Sequence, residues 1–280
     1  MGARDRVPIG LRMKLLWLFL SVVVVSGAPV PSGAGADLRG APQNFDCSFL
    51  RAFGAATGAQ KSDDPLTLEA ILKKMDAVSA SFTTAQAEFE WDNYQRVIDE
   101  IVDVQTGTIF YRRSGKEIQM MAEVKKAGES ADSLKPEPKY VLFSEGKIRM
   151  YQPKPDQLTV YDLGKDRADL ESYVVLGFGG SGQDLQKAFD VKYQGTETIN
   201  GVAAAKLELT PKSEKVRKNY NRMILWIDPE MGISVQQQFF TPQGDYRLCK
   251  NSAIKVKEKI DNDVFKLKTT GKTQTLSPRG

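Results

Sequence analysis

Residues 140–153 read Tyr-Val-Leu-Phe-Ser-Glu-Gly-Lys-Ile-Arg-Met-Tyr-Gln-Pro. Apolar side chains fill Tyr140 to Phe143 and return at Ile148, Met150 and Tyr151, with Ser144-Glu145-Gly146 between the two runs. A short polar turn containing glycine, set between two such runs, predicts a β-hairpin. The hairpin decides the fold because units like it recur on both sides.

Upstream, 82–91 alternates in its second half: Ala85, Ala87, Phe89 and Trp91 share one face, and Gln86, Glu88 and Glu90 the other. Residues 97–113 form a long strand with a bend at Thr106-Gly107, and 117–124 another. Polar residues 125–138 are expected as a loop. Downstream, strands are predicted over 157–163, 190–193, 202–209, 222–227, 233–240, 246–256 and 264–268, with turns at Asn200-Gly201, 228–232 and 242–244. This spacing is that of an antiparallel meander.

Helical periodicity is clearest over 66–79, where Leu68, Ile71, Leu72, Met75 and Val78 form one apolar stripe. Asp64 can cap it, with Pro65 at its first position. A weaker helix is expected over 166–175 and a helical turn over 183–189. The class is therefore α+β, with about eleven strands and one or two helices that must lie on an apolar sheet face.

The first 36 residues have the layout of a secretory signal peptide. Arg4, Arg6, Arg12 and Lys14 precede an apolar run over 15–25, and Ala34-Gly35-Ala36 offers a small-x-small cleavage site. That run is shorter than the roughly 20 residues that span a bilayer. A retained anchor and a cut after Ala28 are the alternatives. Residues 37–63 read as a flexible arm, 64–270 as one domain and 271–280 as a disordered tail, and the signal segment predicts an exported mature chain. In an oxidising compartment Cys47 and Cys249 are the candidate disulfide, and two independent thiols the alternative.

The net charge of +4 rests largely on the basic start, and the remaining basic residues are scattered among acids. A nucleic-acid binder needs a concentrated basic face, so that class is set aside. The chain contains no histidine, which removes Ser-His-Asp and Cys-His chemistry and the commonest metal ligand. Two cysteines far apart do not make a zinc site, and Asp99, Glu100 and Asp103 lack EF-hand spacing. No cofactor or metal is expected. A carboxylate hydrolase is the remaining enzymatic reading, but none of the 35 acids is singled out as a pair. The glycines at 177, 179, 180 and 182 lack the Lys-Ser/Thr of a phosphate loop. They read as a hinge, with Phe178 as an apolar finger of a lid. Aromatic and Met side chains recur on nearly every strand, which suits either an ordinary core or an adaptable apolar cavity.

Taken in order, the helix, Ala80-Ser-Phe-Thr83, Phe110-Tyr-Arg-Arg113, Ser144-Glu-Gly-Lys147, Tyr151-Gln-Pro153 and Leu209-Thr-Pro-Lys212 resemble the LolA-like family of periplasmic lipoprotein carriers. The resemblance covers about residues 66–270. It implies an incomplete, half-open antiparallel β-barrel whose concave face is covered by helices and holds acyl chains. It implies a non-enzymatic carrier of lipid or lipoprotein acyl chains, with an inner-membrane donor complex and an outer-membrane acceptor as partners. Residues Phe89, Trp91, Tyr111, Met120, Phe143, Met150 and Trp226 are the expected acyl-chain lining. Arg113 matches the arginine that bonds to the carrier's helical lid, although Ser114 replaces the proline after it and Glu117 stands where the carrier has an aromatic. A local Glu117–Arg113 pair is the alternative arrangement. The related folds also imply a second role, an envelope sensor that binds a protein partner.

Overall fold

The computed structural model describes residues 66–278 apart from 116, 165–172 and 175. The signal peptide, the arm, Cys47 and most of the weaker helix predicted over 166–175 lie outside the described residues.

Helix α1 spans Leu68–Ala80. Thr67 caps it, its Oγ1 accepting from the Ala70 amide at 3.2 Å. Ile71, Leu72 and Met75, at spacings of one and three, are its buried stripe. Strands β1 (Thr84–Gln95), β2 (Glu100–Ser114), β3 (Glu117–Gly128), β4 (Lys135–Ser144), β5 (Lys147–Gln152) and β6 (Gln157–Asp162) follow. After them come α2 (Gly182–Ala188), β7 (Phe189–Ile199), β8 (Val202–Pro211), the single turn α3 (Glu214–Arg217), β9 (Arg222–Asp228), β10 (Ile233–Phe240), β11 (Tyr246–Val256) and the short β12 (Gln274–Leu276).

The hairpin predicted over 140–153 is β4–β5. Ser144 pairs with Lys147, and Glu145 and Gly146 both have positive φ, 54° and 67°. Two positive-φ residues match the right-handed twist of the strands they join, which is why a two-residue turn closes here.

All twelve strands form one sheet in the order β12-β6-β5-β4-β3-β2-β1-β11-β10-β9-β8-β7. Pairings are antiparallel except β12 with β6. The two ends of the sheet, β12 and β7, do not meet. The result is an open α+β half-barrel, as the resemblance implied. Strand β1 pairs on one side with β2 and on the other with β11, so the first and nearly last strands lie side by side in the middle of the sheet. Strand β6, which lies next to the end strand β12, and the end strand β7 are consecutive in sequence, so the chain between them joins the two sides of the sheet.

One face of the sheet carries a continuous core. It runs from Phe143, Ile148 and Met150 through Ala87, Phe89, Ile109 and Met120 to Leu207, Leu209, Met223 and Leu225. Ile71, Leu72 and Met75 of α1 and Leu185 of α2 pack on its β8–β9 side. Alternation sends the intervening residues to the outer face, where Ile224, Trp226 and Val235 form one cluster and Met121, Leu142 and Phe265 another.

Three expectations are corrected. The stretch 125–138 is mostly strand, since β3 runs to Gly128 and β4 starts at Lys135, leaving a short link with a 3-10 turn at Ala131–Ser133. Its polar composition reflects exposure of the strand ends rather than a loop. Residues 264–268 are not a strand: a 3-10 turn, Asn262–Phe265, capped by Asp261, drops Phe265 onto the outer face. The stretch 271–280, expected as a disordered tail, contributes β12. Thr270 and Thr273 fix its approach by donating to Asp156, at 2.6 Å each.

Candidate functional site

Three segments meet at the mouth of the half-barrel: the end of α1, the end of β2 and the glycine-rich segment 176–181. Arg113 joins them. Its Nη1 donates to the Ser79 carbonyl at 3.0 Å and its Nη2 to the Gly179 carbonyl at 2.8 Å. Ser79 Oγ donates to the same Gly179 carbonyl at 2.7 Å. A guanidinium suits this position because its donors are held in a fixed plane and can reach two carbonyls at once. Burial pulls the Arg113 pKa down, and the charge of Asp184 opposes that pull. No ion pair joins Glu117 to Arg113 among the described residues; the guanidinium is turned to the helix and the loop.

Gly179 has φ +79°, and a Cβ there would lie 2.6 Å from the Phe82 ring, so glycine is required both by conformation and by contact. The segment is also seated on β10. Gln237 Nε2 donates to the Leu176 carbonyl at 2.7 Å, and the Ser234 amide to the Gly177 carbonyl at 2.8 Å.

These bonds press Phe178 into the half-barrel, where it is 1 % exposed. Its ring stacks on Tyr111 with centroids 4.7 Å apart and 12° between planes. Beneath it lies a cavity of about 80 Å³ lined by Trp91, Ile109, Tyr111, Met120, Phe239 and Cys249, among others. Small-molecule sites occupy about 300–1,000 Å³, so the cavity below the finger is smaller than such a site.

Of the residues expected to line an acyl site, Trp91, Tyr111 and Met120 reach this cavity. Phe89 stacks on Trp91 at 4.0 Å and shares the inner-face core with Phe143 and Met150. Trp226 does not join them. It lies on the outer face with Ala204, Ile224 and Val235. Its Nε1 donates to Glu197 at 2.9 Å, and Lys206 Nζ sits 5.2 Å from its ring centroid. The reason is phase: Met223, Leu225 and Ile227 of β9 point inward, so Trp226 points out. Cys249 lies in the cavity wall, and its proposed partner Cys47 is outside the described residues.

The far end of the same inner face is polar, which the sequence reading missed. Arg247 is 4 % exposed and lines the cavity. Its Nε donates to Asn93 Oδ1 at 2.8 Å, and its guanidinium carbon lies 5.4 Å from the Trp91 ring centroid. Asn93 and Gln105 in turn donate to Asp103, at 2.5 and 2.8 Å. Lys139 is 1 % exposed and makes no ion pair among the described residues. Burial lowers its pKa, with Glu137 and Asp103 opposing and Arg247 adding to the drop. The signal was available: Lys139-x-Val141-x-Phe143 and Arg247-x-Cys249-x-Asn251 place each cation in phase with the core.

Among the described residues no group of three or more acidic, Cys or His side chains is placed to hold a metal ion, and no helix is long and apolar enough to cross a membrane. The molecule is an open half-barrel whose apolar inner face is closed by a bonded finger. A family model described as "-like: Uncharacterized protein" matches residues 180–277. No curated protein matches the chain. Among solved structures, an uncharacterized conserved protein from Thermus thermophilus is similar at 12% identity and a TM-score of 0.46, over 75% of this chain and 98% of that one. A LolA superfamily protein from Nitrosomonas europaea is similar at 13% identity and a TM-score of 0.34, over 72% and 98%. The MucA/MucB complex of Pseudomonas aeruginosa contains a chain similar at 15% identity and a TM-score of 0.41, over 71% of this chain and 60% of that one. At these identities the likeness is one of fold.

Proposed function

We propose that this chain is a non-enzymatic, exported carrier that binds lipid or lipoprotein acyl chains on the inner face of its half-barrel, for transfer toward the outer membrane. The observation that carries this reading is the Arg113 latch. One guanidinium holds both the last turn of α1 and the segment bearing Phe178, which lines a cavity with an apolar wall. Release of the latch would withdraw Phe178 and free the wall formed by Trp91, Tyr111 and Met120, with Phe89, Phe143 and Met150 beside it. Donor and acceptor complexes in the two membranes are the partners of such a carrier. A Cys47–Cys249 disulfide would tie the N-terminal arm to the cavity wall.

The test is native mass spectrometry of gently extracted protein together with displacement of a fluorescent fatty acid. Co-purified lipid and dose-dependent displacement are expected. Neither lipid nor displacement would sink the carrier reading.

The small volume of the cavity below Phe178 favours a second reading, a sensor that uses the half-barrel surface to bind a protein partner and needs no ligand. A pull-down from envelope extract that recovers a membrane regulator, with no lipid in the purified chain, would select it.

A further inference from the structure

We infer that the cavity takes a single-chain amphiphile ending in a carboxylate or phosphate, with the anionic group reaching Arg247 and the tail lying along the apolar wall below Phe178. The inference rests on the carrier reading and narrows its cargo.

Four observations carry it. First, Arg247 and Phe178 line the same cavity, so a ligand that displaces the finger enters a space whose wall includes the guanidinium. Second, Arg247 is not satisfied. Its Nε is bonded to Asn93, but its Nη2 is buried with no hydrogen-bond partner. A buried donor left unmade is costly, and a buried guanidinium more so. Third, the acid nearest in the network, Asp103, accepts bonds from Asn93 and Gln105 rather than from a cation. Its charge is held one residue away from Arg247. Fourth, Lys139 is buried on the same face, brought there by the alternation that also points Val141 and Phe143 inward. Asp103 acts on both buried cations, and Lys139 has the exposed Glu137 as well, but neither acid bonds to the Arg247 guanidinium.

A carboxylate or phosphate oxygen supplies both missing elements, an acceptor for Nη2 and a compensating charge, and charge-assisted bonds of this kind are the strong ones. The geometry along the sheet fits an extended molecule. Arg113 and Asp103 are the two ends of the inner face of β2, ten residues apart and so roughly 33 Å. The mouth and the cationic end are separated by the length of the apolar wall. An uncharged end can offer Nη2 an acceptor but brings no compensating charge.

The test uses the whole chain and a neutral apolar reporter, N-phenyl-1-naphthylamine, displaced by hexadecanoate, hexadecyl phosphate, hexadecanol or inorganic phosphate below micellar concentrations. Hexadecanoate and hexadecyl phosphate are expected to displace the reporter at concentrations at least tenfold below hexadecanol. In Arg247→Met that gap should close through weaker displacement by hexadecanoate and hexadecyl phosphate. Equal potency of hexadecanoate and hexadecanol on the unaltered chain would overturn the inference and leave the carrier reading standing. A gap that survives in Arg247→Met would also overturn it. Inorganic phosphate acting at the concentration of hexadecyl phosphate would show a free-anion site instead, likewise overturning it. Displacement by none of the four would sink the carrier reading itself. The comparison of head groups on the unaltered chain needs no variant, so it stands even if Arg247→Met fails to fold.

Discussion

The Arg113 guanidinium and the Gly179 carbonyl are 66 residues apart in sequence and 2.8 Å apart in space. This contact joins the end of β2 to the segment that carries Phe178. Arg113→Gln removes two charge-assisted bonds to carbonyls, each worth about 1.5–3 kcal/mol when well shielded. Arg113 is only partly buried, so the expected loss of stability is about 1–2 kcal/mol in total. Amide hydrogen exchange over 176–181 should accelerate more than exchange in the sheet, because the latch acts on the segment first. Uniform acceleration would mean that Arg113 supports the whole fold rather than the latch.

Phe178→Ala should enlarge the cavity and increase uptake of a neutral apolar reporter. Truncating a fully buried Phe costs about 3–5 kcal/mol, so thermal unfolding should also shift down markedly. A stable variant with unchanged uptake would show that the wall collapses onto the space.

Gly179→Ala should be more damaging than an ordinary loop substitution. The new Cβ would sit 2.6 Å from the Phe82 ring at a φ of +79°, a conformation that costs about 1–3 kcal/mol for other residues. The expected readout is a lower melting temperature together with faster exchange at Ser79 and Phe178.

Trp226→Phe tests the division of the sheet into two faces. It removes the bond to Glu197, worth about 0.5–1.5 kcal/mol, and should leave ligand displacement as it was. A change in displacement would place Trp226 in the binding wall after all.

Burial pushes the Cys249 thiol up to about 12 from an ordinary value of 9.0. In reducing buffer below pH 9 the thiol is protonated whether the chain is folded or not, and it contributes no pH dependence. Above pH 9 the unfolded thiol ionises while the folded one does not, so this group makes stability fall as pH rises toward 12, by up to about 1.4 kcal/mol per pH unit. Denaturant melts of the unaltered chain and Cys249→Ala at about pH 8 and about pH 10, on either side of the ordinary thiol value, should show a steeper decline for the former. Equal declines would mean that the thiol ionises in place.

Much of the fold is legible in the sequence because the signals are local. The Ser144–Lys147 turn, the α1 stripe and the alternation of β1 each need only neighbouring residues. What escapes depends on residues far away in the chain. The strand ends of β3 and β4 look like loop because their side chains are polar, yet their backbones pair. Phe265 reads as strand, but a capped turn swings it onto Met121 and Leu142. At the site, Arg113 is legible from its motif and its bond partners are not, since Ser79 and Gly179 contribute carbonyls, which leave no trace in residue type. Arg247 and Lys139 look like ordinary surface charges by residue type alone; their phase within β11 and β4 holds the information.

The connection between β6 and β7 has a mechanical consequence. One end is tied where the Leu163 amide meets the Gly146 carbonyl, and the other where the Lys212 amide meets the Ala188 carbonyl beside β7. These anchors stand on the two sides of the sheet, beside β6 and β7, so the chain between them is tied at both ends. It cannot swing clear of the mouth on a single hinge. Whatever opens the mouth acts on a segment bonded on both sides of the sheet, and also to Ser234 and Gln237 of β10 between them.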